Sequence, residues 1–126
     1  MEQTTQEIAY AVEYSKFISE YKLGEVSGEA AGQLISRMAQ YFGTQNMDLV
    51  AKERKMNVKA AEIEGRMDDN GKAISSTKAK IFLEATDECY AFNISRAHLQ
   101  NIEQYINALK SLQKGILNEM QHLGLN

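Results

Sequence analysis

Not one proline occurs in the 126 residues of this chain. Proline locks φ and removes a backbone donor, so a chain without it carries no obligatory helix breaker. Ala, Glu, Lys, Gln, Met and Leu are plentiful, and these residues favour helix. The length suits one domain with a modest core. The expected fold is all-α: a long helical hairpin or small helical bundle with a coiled-coil-like C-terminal helix. The whole chain, 1–126, is read as a single helical domain.

The hydrophobic pattern divides the chain into helices. The first is expected over 4–22, with Thr4 or Thr5 as cap and Glu7 in its first turn. Tyr10, Tyr14, Phe17 and Tyr21 fall on one face of it, and Ile8, Val12 and Ile18 widen the apolar surface. Such a stripe either packs in a core or stacks nucleobases. Gly24 is a natural stop. Ser27 is the next cap, ahead of Leu34, Ile35, Met38, Tyr41 and Phe42. "GTQN" at 43–46 predicts a break, giving helices over 28–42 and 47–67. Leu49, Met56, Ala60, Ile63 and Met67 form the seam of the latter.

The last helix is expected over 77–123, with Ser75, Ser76 and Thr77 as caps. Leu99, Ile102, Ile106, Leu109, Ile116, Met120 and Leu123 repeat with a period of 3.5, interrupted by the polar Gln113. Upstream, Phe82, Ala85, Cys89 and Phe92 continue an apolar stripe in a shifted phase. A helix of this length would reach ~70 Å, at ~1.5 Å per residue. A compact chain of this size has a radius of gyration of only about 14 Å. The excess stripe therefore predicts homo-oligomerisation through those seven residues.

Between the helices lies "MDDNGK", Met67 to Lys72, a dense cluster of turn formers. It is no calcium loop. With Gly71 in the sixth place, Arg66 would stand first and Thr77 twelfth, where carboxylates belong. Two readings stay open: a bare turn between helices, or a short β-ribbon over 62–76 with Asn70-Gly71 in a type I′ turn.

Charge is uneven along the chain. Residues 1–51 carry three Lys/Arg against seven Asp/Glu, residues 52–80 eight against five, and residues 81–126 three against five. The basic middle reads as a phosphate-contacting patch or as a solvated helix face. Its nucleic-acid candidates are Lys52, Arg54, Lys55, Lys59, Arg66, Lys72, Lys78 and Lys80.

Catalytic constellations are thin, and the chain is read as no enzyme, with no cofactor and no metal site. His98 and His122 stand far apart, and Cys89 sits on an apolar stripe, as an inert buried thiol does. GxSxG, HExxH, CxxC, P-loop and GxGxxG motifs are absent. No apolar run is long enough to span a membrane. "MEQTTQEIAY" is too polar for a secretory signal, and a single cysteine fits a reducing cytoplasm. "NIS" at Asn93 matches the glycosylation pattern by chance.

Three blocks carry a resemblance: "KERKMNVKAAEIEGRM" from Lys52, the loop "DDNGKAISST" from Asp68, and "KAKIFLEATDECYAF" from Lys78 through "INALKSLQKGI" from Ile106. In length and order they resemble the UvsY-type recombination mediators of T-even-like phages, over about residues 50–117. The resemblance implies a ring-forming protein that binds single-stranded DNA and helps load a recombinase onto strands coated by a single-strand-binding protein. It also implies that a Lys-x-Arg pair, here Lys52 and Arg54, contacts DNA. The host cytoplasm is then the expected location. The alternative is a structural or protein-interaction component, such as a phage virion or assembly protein or a helical adaptor. That component would grip its partner through the aromatic face of the first helix and the 99–123 stripe.

Overall fold

The computed structural model describes the backbone of residues 5–122. Four helices follow one another: α1 (Thr5–Lys22), α2 (Gly28–Glu64), α3 (Ser76–Glu84) and α4 (Asp87–His122), with no strand among the described residues. The fold is all-α. No helix in this range is long and apolar enough to cross a membrane. Two compact units form, one from residues 1–45 and 100–126, the other from 46–99. Both α2 and α4 contribute to each unit.

Helix starts are set by hydroxyl side chains. Ser27 Oγ accepts the Ala30 amide at 3.1 Å at the start of α2, and Ser75 Oγ accepts that of Lys78 at 3.2 Å before α3. The stop of α1 is a Schellman motif: Glu25 N–H donates to Glu20 O and Gly24 N–H to Tyr21 O, both at 3.0 Å. Gly24 takes φ 75° there. The expected cap Thr4 lies outside the described residues, as does the seam residue Leu123.

The structure differs from the sequence reading at three junctions. The expected break at 43–46 is absent, and α2 runs through it. Gly43 keeps a negative φ, and Met38 and Gln45, both buried, anchor the helix on either side of it. A lone glycine lowers helix propensity by only about 1 kcal/mol, which such packing outweighs.

The second difference lies in the expected 77–123 helix, which is cut in two. Thr86 starts a new helix: its Oγ1 accepts the Cys89 amide at 3.2 Å and its carbonyl accepts that of Tyr90 at 3.1 Å. Asp87 and Glu88 occupy the first turn of α4, where the helix dipole favours acids.

The third difference is at "MDDNGK". One antiparallel bridge, Met67 to Ala73, stands in place of a ribbon. Asp68 N–H donates to Lys72 O at 2.7 Å, and Gly71 N–H to Asp68 O at 3.0 Å. Asp69 and Asn70 keep negative φ and only Gly71 takes φ 75°. The connection is therefore a three-residue loop with a left-handed glycine, not a type I′ turn. Asp68 Oδ1 accepts the amides of Asn70 (2.8 Å) and Lys72 (3.0 Å), which pins the loop from inside.

The first unit has a continuous core. Tyr10 and Phe17 of α1, Ala31, Leu34 and Met38 of α2, and Ile102 and Leu109 of α4 are buried together. Tyr14 stacks on Tyr105 with ring centroids 3.9 Å apart and planes 5° from parallel. Three of the four aromatics of the first helix thus serve packing, while Tyr21 is exposed. Gln113 turns inward as well, and its Nε2 donates to Gly28 O at 3.1 Å. In the second unit Ile63, Ala79 and Cys89 are buried, one from each of three helices.

Candidate interaction surface of the second unit

The eight candidate cations all belong to the second unit, between residues 46 and 99. They divide by what they touch. Lys52 Nζ bonds Asp48 at 2.7 Å, while Lys59 and Arg66 both reach Glu62 at 3.3 Å. Glu62 is held below the usual carboxylate range by hydrogen bonds from Arg66 and Lys59. Arg54, Lys55, Lys72, Lys78 and Lys80 are exposed and form no ion pair among the described residues.

The excess charge of the 52–80 zone does not survive folding. Its eight cations and five acids give +3; the unit adds Asp48, Glu84, Asp87 and Glu88 against Arg96, which brings nine against nine and a net charge of zero. The first unit keeps the whole formal charge of the chain, five Lys/Arg against eight Asp/Glu, or −3.

Beneath this surface a polar contact ties α4 to α2. Ser95 Oγ donates to Asp48 Oδ2 at 2.7 Å, and Lys52 takes the other oxygen. Burial pushes the Asp48 carboxyl up, but the hydrogen bonds from Lys52 and Ser95, with the Lys52 and Lys55 charges, outweigh it and lower its pKa. Ser95 is 2% exposed, so its hydroxyl serves packing and offers no route to a substrate. No group of His, Cys, Asp and Glu able to hold a metal is found among the described residues.

What the sequence reading missed is an apolar face on α2. Met47, Val50 and Val58 are 75%, 60% and 64% exposed. Met47, Ala51, Arg54 and Val58 follow a four-three-four spacing, which aligns them along one side of a helix. Lys55, Lys59 and Glu62 flank that side. An open groove of about 500 Å³ runs here, lined by Ala51, Arg54, Lys55, Val58, Lys59, Glu62 and, from α4, Glu88. Elsewhere in the same unit Ile81 and Phe82 of α3 and Tyr90 of α4 are exposed. The signal was present in the sequence: Val50 and Val58 lie off the seam of buried residues, where a solvated helix usually carries polar side chains.

The seam expected to hold a second chain is partly consumed within this one. Ile102 and Leu109 are fully buried in the first unit's own core, leaving no surface for a partner. Leu99, Ile106 and Ile116 are half-buried, and Met120 is exposed. Comparison of the chain with protein-family models, with curated proteins and with solved structures finds no match.

Proposed function

We propose that this chain is a non-enzymatic accessory protein that acts by binding a protein partner through its second unit. The observation that carries this is the exposed apolar set of α2, Met47, Val50 and Val58, interleaved with unpaired cations. Exposed apolar side chains grouped on one face mark interaction sites more often than isolated ones do. A virion or assembly component, or a helical adaptor working in the cytoplasm, would use such a face.

A second reading is a single-stranded-DNA-binding recombination mediator of the UvsY type, cooperating with a recombinase or single-strand-binding protein. Its support is the five unpaired cations, with Phe82 and Tyr90 exposed in the same unit as bases would need. The neutral charge of the unit weighs against it. Self-association would fall to Ile116, Leu117 and Met120 of α4 and would multiply either kind of contact.

One experiment separates the readings. A photo-reactive residue is placed at Val58 or Phe82, with Ser111 of the first unit as control, and irradiated in the cells that express the chain naturally. Discrete protease-sensitive adducts at 58 or 82, missing at 111, support the protein-binding role. Nuclease-sensitive adducts alone would transfer the function to nucleic acid, and no adducts at either position would refute both.

A further inference from the structure

We propose that the groove on α2 is a docking site for an acidic amphipathic helix of a partner protein. The inference rests on the protein-binding reading above and names the chemistry of the partner. The floor is aliphatic: Ala51 and Val58, extended along the helix by Met47 and Val50. One helix laid along another meets it through residues three and four apart, the spacing of Met47, Ala51, Arg54 and Val58, three of them apolar and Arg54 the cation on the same line.

Charge selects among helices. Arg54, Lys55 and Lys59 border the floor against Glu62 and Glu88. Glu62 is already engaged by both Lys59 and Arg66. Arg54 and Lys55 then face only Glu88, so the groove keeps an excess of positive charge along its apolar strip. A partner helix carrying Glu or Asp on the edge of its own apolar stripe would satisfy them, and one carrying Lys there would be repelled.

The lining also argues against a nucleic acid in this groove. Stacking of bases needs aromatic faces, and none lines it.

The test uses the full chain and two dye-labelled helical peptides of about 15 residues. Both share one Leu pattern; one carries Glu flanks and the other Lys flanks, and oligo(dT) is titrated in parallel. The acidic peptide should bind at least about tenfold more tightly than the basic one. Val58→Glu, at an exposed position that leaves the core intact, should weaken it by about tenfold or more, with the helical circular dichroism unchanged. R54E should weaken the acidic peptide and strengthen the basic one.

Equal binding of the two peptides would overturn the proposal, as would binding indifferent to Val58→Glu, or oligo(dT) binding that competes with the peptide. Conversion of an oligomer to monomers by Val58→Glu would also overturn it, by assigning the groove to a second copy. If neither peptide binds while protein adducts at position 58 persist, the acidic-helix inference fails and the protein-binding function stands. If those adducts vanish as well, both fall.

Discussion

Gln113 shows how much one side chain decides. Its amide reaches the Gly28 carbonyl at 3.1 Å, and a Cβ added at Gly32 would lie 2.9 Å from the same Nε2. Gly32→Ala therefore combines two opposed effects, a helix-propensity gain of about 1 kcal/mol and loss of a hydrogen bond of about 1 kcal/mol. The single variant should be close to neutral in urea unfolding. With Gln113→Ala already in place, Gly32→Ala should stabilise by roughly 0.5–1 kcal/mol, because only the propensity effect remains. Equal effects in the two backgrounds would refute the coupling.

Asp48 gives the residue scale a pH signature. Its folded pKa lies below the ordinary 3.8, so its contacts with Ser95 and Lys52 contribute fully above that value. The contribution is lost as pH falls below 3.8 towards the folded pKa, where protonation ends the Lys52 attraction. Asp48→Asn should be less stable than the wild type at pH 6 and should lose less melting temperature between about pH 5 and pH 3.

At the scale of elements, the helix content could be read from composition and period, and the junctions could not. Leu34, Met38, Ile102 and Leu109 were correctly placed on apolar faces because a 3.6-residue period leaves few alternatives. The break at 43–46 failed because a glycine is judged by its neighbours' packing, which no local pattern reveals. The break at 85–86 was missed although its signal, Thr86 followed by Asp87 and Glu88, stood in the sequence; an unbroken apolar stripe on either side masked it. The candidate cations could all be read, but the groove could not, since Glu88 reaches it only through the fold. Gly43→Ala tests the first of these points. In an unbroken helix where nothing beyond the adjoining helix backbone comes within 4 Å of the new Cβ, it should stabilise by about 1 kcal/mol in thermal or chemical unfolding. A glycine ending a helix at that position would give the opposite sign.

For the molecule as a whole, burial is unequal between the units. Among the described residues the first buries seven in one core drawn from three helices, and Leu109→Ala there should cost about 2–5 kcal/mol in denaturant unfolding. The second buries fewer large side chains, and α3 contributes only Ala79. Hydrogen exchange should show the difference. Amides of α3 should exchange through local opening, while those around Leu34, Met38, Ile102 and Leu109 exchange only with global unfolding. Uniform protection along the chain would contradict this.

The helix caps have one more consequence. Ser27, Ser75 and Thr86 hold three helix starts with uncharged hydroxyls, whereas Ser95 joins two helices through a carboxylate. Protons can therefore weaken how helices meet without erasing where they begin. Acid below about pH 3.8 should loosen the second unit first: amides around Asp48 and Ser95 should lose hydrogen-exchange protection before the far-ultraviolet helix signal fades. The boundaries of the elements and the fit between them answer to different chemistry, and acidity separates the two.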